Sequence, residues 1–383
     1  MPIFRYGEDD VVKALTSPGD ELPAFPVSSL GEYCEVTDLI RKAWVEKVNK
    51  RQDETDLKGY VGEILPWFRG VRKIKAGMLT PKLAREWIKY KKRKADGTAT
   101  DNPDHRSIYD LEDYYFDRFT RFGRPFIGSV LPMDEIEWNY IMRHHEIPSR
   151  LLDWTKGSLI ALSYAVQHSL PTRSELNLCD LKGKRKPEDA VVWMLEPRRL
   201  MEIATQELSN SNSKGIRNIA SREPQVRGMR RDYFKDPSRY NDNHKPVDKD
   251  GYCNYLSWGN TNYWKYPLPL IPSHISARVE SHLSRFTLHS LDSFRHEISR
   301  ESSSNQESLP NEDESLKHFA TETFNSDAYW YLAKIELSGT DLFSIARVLR
   351  MTGVGDMNFT QDLDGLAREL QVRAHLGFQD DLA

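Results

Sequence analysis

The chain has 383 residues, a formal net charge of -3, 29% charged and 39% hydrophobic positions, a mean hydropathy of -0.65 and a pI near 6.4. That length suits one large domain with insertions or two ordinary ones, and the charge balance excludes a uniformly basic nucleic-acid coat. No apolar run is long enough to span a membrane, the first residues lack the order of a signal peptide, and Cys34, Cys179 and Cys253 are scattered without metal or disulfide spacing. The expectation is a cytoplasmic protein with no metal.

From Ser28, "SSLGEYCEVTDLIRKAWVEKVNKRQ" spaces Leu30, Tyr33, Val36, Leu39, Ile40 and Trp44 as one face of a helix. Residues 1–58 read as an N-terminal helical extension to a main domain over 59–376. "GYVGEILPWFRG" is then nearly continuous in apolar residues, as a strand covered on both faces would be. Pro66 suits its start, and Arg69 and Gly70 interrupt it, so the strand is expected to end on the arginine. "PKLAREWIKYKKRK" reads as a helix running into a Gly, Thr, Asp, Asn and Pro loop. Two more helices follow, "DLEDYYFDRFTRFG" and "DEIEWNYIMRHHEIP", with Asp134 as a cap of the second and Pro148 marking its end.

In "SRLLDWTKGSLIALSYAVQHSL" a short apolar segment, Leu151 and Leu152, leads through Asp153 and Thr155 into a buried helix. "AVVWMLEP" is the most strand-like stretch of the chain. Residues 203–250 form a polar, locally basic insertion in which Arg227, Arg230, Arg231 and Tyr233 are nucleic-acid contact candidates. Two readings stand there: a solvated insertion, and a loop that contacts phosphates and stacks bases. "YPLPLIPSHISARVESHLSRFTLHS" carries strand and turn signals, and 299–317 is too polar to order itself and reads as a disordered acidic loop. "AYWYLAKIELSG" predicts a strand, "DLFSIARVLRMTG" a helix ending at Gly353, and "NFTQDLDGLARELQVRAHL" a turn into a last helix. Asp362 and Asp364 suit capping of that turn better than a metal pair. The irregular alternation of strands and helices favours a mixed α+β domain over a doubly wound sheet.

Phe68, Arg69 and Gly70, followed about eighty residues on by "RHHEIPSRLLDWTKGSLIALSYAV", resemble the FRG domain family, whose name is that tripeptide. "AVVWMLEP", "AKIELSG" and "NFTQDLDGLAREL" are similar to further family segments. The resemblance implies a divergent ADP-ribosyltransferase-like fold, a split antiparallel sheet flanked by helices, with NAD bound in a cleft as substrate. It also implies a toxin or phage-defence setting in bacteria, with RNA or protein as acceptor and an antitoxin or chaperone as restraint. The sequence departs from the family pattern at Arg143, where glutamine is usual, at Glu146, where glycine is, and at Ser149, a frequent threonine. His282, Ser284 and Gln361 depart likewise, from glutamine, glycine and proline.

Transfer from NAD passes through a cationic sugar, so the site must hold the pyrophosphate and stabilise charge near the ribose. Arg69 suits the first task because a guanidinium forks onto phosphate oxygens and stays charged. The competing reading pairs it with a buried carboxylate, for which Asp153 is the obvious partner. The resemblance adds His144, Ser149, Arg150 and Thr155 to the NAD-binding candidates, with Arg150 also able to clamp the sheet. Trp154 and Tyr164 are candidates to face the nicotinamide, although aromatics beside a buried helix are commonly core. His145 reads as surface.

Arg278, Glu280 and His282 would share one strand face. There Glu280 would stabilise the ribose cation and His282 would serve as base, or both are polar residues of an edge strand. The alternative from another functional class is a noncatalytic module that binds nucleic acid or protein. A nuclease is disfavoured by the lack of a metal-ligand cluster.

Overall fold

The computed structural model describes residues 6–16, 22–54, 65–72, 79–98, 108–127, 135–169, 189–200, 266–272, 283–289, 331–339, 341–355 and 370. Glu280, His282, the 203–250 insertion with Arg227, Arg230, Arg231 and Tyr233, the 299–317 loop, Asp134, and Asp362 with Asp364 lie outside the described residues. Seven strands form one mostly antiparallel open sheet in a mixed α and β architecture. They are β1 (Ala24–Val27), β2 (Trp67–Arg72), β3 (Leu151–Thr155), β4 (Ala190–Leu195), β5 (Leu268–Leu270), β6 (Ser284–Leu288) and β7 (Leu332–Leu337). The spatial order is β1-β7-β4-β2-β3-β6-β5, and β1 alone runs parallel to its neighbour, β7.

Seven helices are named here: α1 (Glu8–Thr16), α2 (Leu30–Glu54), α3 (Lys82–Ala95), α4 (Ile108–Gly123), α5 (Glu135–His144), α6 (Ser158–Ser169) and α7 (Leu342–Met351). α2 follows the spacing of its apolar residues, burying Tyr33, Val36, Ile40 and Trp44. Its start is a reciprocal cap: Ser29 Oγ accepts the Glu32 N–H while Glu32 Oε2 accepts the Ser28 N–H at 2.8 Å. α7 ends as expected at Gly353, which takes the left-handed conformation at φ 81° that costs glycine little.

Two expectations are corrected. Residues 1–58 are no mere helical extension, because 24–27 form an edge strand of the same sheet and Val11, Phe25, Tyr33 and Trp44 join the one large core with β4 and β7. Pro26 is tolerated in that strand because an edge leaves one side of its backbone free of ladder bonds.

The second correction concerns β2, which does not stop at Arg69 but runs on through Gly70 to Arg72, paired with β4 along all six residues. Gly70 looked like a terminator for a reason outside the strand. A Cβ there would lie 1.7 Å from the Ala161 carbonyl oxygen and 2.8 Å from the Ala165 nitrogen. α6 therefore rests directly on the β2 backbone, through a face that presents alanines. Side chains alternate along a strand, so Arg69 points to the other face of β2.

Candidate functional site

β2 is paired with β4 over six residues but with β3 at a single register pair, Phe68 opposite Thr155. Beyond that pair the two strands part, and the Arg69 side chain crosses between them. Its Nη1 donates to the Asp153 carbonyl oxygen at 2.7 Å and lies 3.6 Å from the Asp153 carboxylate. A guanidinium thus bridges the sheet where a ladder bond would otherwise sit.

Asp153 lies in the middle of β3, and its carboxylate is shared. Arg143, in the last turn of α5, donates to Asp153 Oδ2 from Nε at 2.8 Å and from Nη2. A third guanidinium, Arg85 on α3, lies close enough to add to the lowering of the Arg69 pKa, and its own is lowered by burial and then by Arg143. The Arg85 Nε is buried and has no hydrogen-bond partner among the described residues. α3 is held in place from the motif itself, because the Ser149 carbonyl accepts the Leu83 N–H of its first turn at 3.3 Å.

Two guanidinium groups therefore share the Asp153 carboxylate with a third nearby, and Arg143 Nη1 also lies 3.7 Å from Glu146 Oε2. Burial, followed by the neighbouring guanidinium groups, pulls Arg69 down to about 10 despite the opposing Asp153 charge. Burial would raise the Asp153 carboxyl, but Arg143 and Arg69 outweigh it and hold the group below the usual range. Arg143 moves the other way: burial lowers it, and the Asp153 charge and hydrogen bonds more than reverse that. The arginine side chains of the Asp153 pairs are 11% and 10% exposed and that of Asp153 is 35% exposed, so the cluster opens to solvent on the carboxylate side. At the rim, Lys82 and Glu146 neutralise each other at 3.0 Å. Glu146 has a φ of 63°, a conformation that favours glycine.

On the other strand neighbour of β3, a buried polar chain adjoins the cluster. Trp154 Nε1 donates to Thr287 Oγ1 at 3.0 Å, and Thr287 Oγ1 lies 3.1 Å from His289 Nε2. His289 is pushed down to about 3 by burial and then by the Arg69 cation, so its ring is neutral at ordinary pH.

The sequence candidates fall into distinct places. Arg69 and His144 come together at Asp153, His144 being close enough to help lower that carboxyl and set edge-on to Phe286 at 6.1 Å. Phe286 in turn stacks on Tyr140 of α5 at 4.9 Å. Ser149 is fully buried, its Oγ facing the Leu151 N–H. Arg150 is also fully buried and donates from Nε to Glu112 of α4 at 2.9 Å, with a second bond from Nη2 to the same carboxylate. Thr155 Oγ1 accepts the Gly157 N–H at 3.0 Å in the turn into α6. Tyr164 is half-buried on α6, Trp154 is core, and His145 is exposed. Sequence reasoning missed Arg85, Arg143 as an ion-pair partner, Thr287 and His289, because three separate elements bring them to one strand.

Among the described residues no group of three His, Cys, Asp or Glu side chains is placed to hold a metal ion. No described helix is long and apolar enough to cross a membrane. The structural elements from β2 through α6 are those that the family model of the FRG domain matches, over residues 66–174, so this stretch of the chain is similar to the FRG domain. No curated protein and no solved structure matches the chain.

Proposed function

We propose that this chain is an ADP-ribosyltransferase-like enzyme that takes NAD as its substrate and binds the dinucleotide pyrophosphate on Arg69, Arg85 and Arg143. One observation carries the reading. Arg69 and Arg143 share the Asp153 carboxylate and Arg85 lies beside them; with Glu146 set against Lys82 and Glu86 against Lys89, this leaves an excess of two positive charges that the two negative charges of a pyrophosphate would offset. The opening between β2 and β3 supports it, since a split sheet is what the resemblance leads one to expect of an NAD cleft.

In the transfer, the bond between ribose C1′ and the nicotinamide nitrogen breaks and its electron pair leaves with neutral nicotinamide. An acceptor nucleophile forms the new bond at C1′ and gives up its proton to a base. The residues of this chain would contribute as follows. Arg69, Arg85 and Arg143 hold the pyrophosphate, Asp153 keeps Arg69 and Arg143 in place, and Glu280 or His282 is the candidate to stabilise the sugar cation or take the proton. The acceptor is RNA or protein, and the toxin setting predicts growth arrest on expression in bacteria.

The test is nicotinamide release from NAD by the purified protein, with and without total RNA or cell protein. Wild type releases nicotinamide in the presence of one acceptor fraction, and Arg69→Ala loses at least about 100-fold, in line with removing one preorganised electrostatic contact. An equally active Arg69→Ala protein overturns the site. Absence of release together with NAD-independent RNA binding assigns the chain to the noncatalytic alternative.

A further inference from the structure

α3 carries Lys82, Arg85, Lys89, Lys91, Lys92, Arg93 and Lys94 against the single acid Glu86, an excess of six positive charges on fourteen residues of a chain whose net charge is -3. Its apolar side is spent: Leu83, Ala84 and Trp87 are buried against Ile108 and Leu111 of α4. Lys89, Lys91, Arg93 and Lys94 are exposed. Arg85, Lys89 and Arg93 recur at every fourth position, about 6 Å apart along the axis, so a row of cations runs from the arginine cluster outward along one helix. Lys89 is offset by Glu86 at 3.1 Å. Aromatic rings stand among these charges. Trp87 and Tyr90 stack at 5.6 Å, and Lys91 Nζ lies 5.1 Å from the Trp87 ring.

We infer that the outer face of α3 is a docking surface for a single-stranded nucleic acid, whose phosphates follow the cation row toward Arg85. The inference deepens the transferase reading, and rests on it for the strand's role as acceptor. Cations at helical intervals suit a phosphodiester strand, whose backbone they neutralise phosphate by phosphate. A membrane surface suits the helix poorly, since binding there requires an apolar face to insert and this one is packed into the protein.

The experiment measures binding of a fluorescein-labelled oligouridylate to the full chain across a salt series, without NAD. Binding by wild type weakens steeply with salt. The Lys91→Gln, Arg93→Gln, Lys94→Gln triple variant, melting at the wild-type temperature, binds at least about 10-fold more weakly with a log–log salt slope shallower by about 2, at roughly 0.7 per lost phosphate contact. The pair Lys89→Gln and Arg93→Gln, two positions of the row itself, is a second variant with a proportionally smaller loss. Equal binding and slope in wild type and both variants overturns the inference, as does tighter binding of polyglutamate or of phosphatidylserine vesicles than of RNA. Because NAD is absent, failure of nicotinamide release would sink the transferase reading and leave this result standing, and the reverse holds too.

Discussion

Arg150 and Asp153 lie three residues apart in "SRLLDWT", yet they belong to opposite kinds of ion pair. Arg150 meets Glu112 one to one, with both side chains at 3% exposure or less and both carboxylate oxygens engaged. Asp153 is 35% exposed and is contested by Arg69 and Arg143, with Arg85 a third cation nearby. The first arrangement is closed and balanced, which is what a clamp between β3 and α4 requires. The second is open and carries surplus charge, which a purely structural pair has no use for and an anion site needs. The motif thus divides its labour: the arginine fixes the strand, and the aspartate arranges guanidinium groups contributed by other elements.

The largest effect should come from breaking the closed pair. Glu112→Ala leaves the Arg150 cation buried and is expected to cost about 3–5 kcal/mol of folding stability, read by chemical denaturation. Replacing both partners with apolar residues, Arg150→Met with Glu112→Leu, should recover most of that loss. If Glu112→Ala instead melts like wild type, the contrast between the pairs collapses.

A smaller effect separates the buried flank of the open cluster. His289 has a folded pKa of about 3, depressed by burial and Arg69. A depressed value means that the unfolded chain takes up the proton first, so the contribution is complete above the unfolded value near 6.5 and is lost as pH falls toward 3. The expected slope is about 1.4 kcal/mol per pH unit in that window. Asp153, also depressed, adds loss of the same sign below about 3.9. Urea midpoints between pH 7 and 5 should fall in wild type and stay nearly flat in His289→Gln. Parallel curves would show that the ring is not held neutral.

The smallest effect lies at the rim. Glu146→Gly relieves a left-handed backbone at φ 63° but removes an exposed pair with Lys82. The two terms are each about 1 kcal/mol or less and opposed, so the midpoint should move by less than about 1 kcal/mol.

How much of this could be read beforehand depended on where each residue's partners come from. α2 and β4 were legible because their burial repeats along their own sequence: Tyr33, Val36, Ile40 and Trp44 on one helix face, and six successive buried residues in "AVVWML". The pairing of Arg69 with Asp153 was foreseen as the competitor to phosphate binding, and the structure shows that the pair and a cationic surplus coexist. Arg85 carried no signal, since an arginine in an amphipathic, lysine-rich helix reads as solvated surface, and only the docking of α3 through Ser149 brings it to the site. β1 escaped notice because four residues containing a proline make no convincing strand until β7 supplies the partner. Gly70 read as a terminator because the cause of its being glycine, the backbone of α6, is ninety residues away in sequence.

The central claim is that the surplus cations at Asp153 bind the pyrophosphate of NAD, and calorimetric titration of NAD into wild type and Arg85→Gln tests it most directly. Arg85 contributes charge without bonding to Asp153 in the hydrogen bonds described above, so its loss lowers the surplus and leaves the Arg69, Arg143 and Asp153 contacts in place. The account predicts NAD binding by wild type and an affinity at least about 10-fold weaker in Arg85→Gln, at an unchanged melting temperature. Equal affinity in the two proteins, or no NAD binding by wild type, would contradict it.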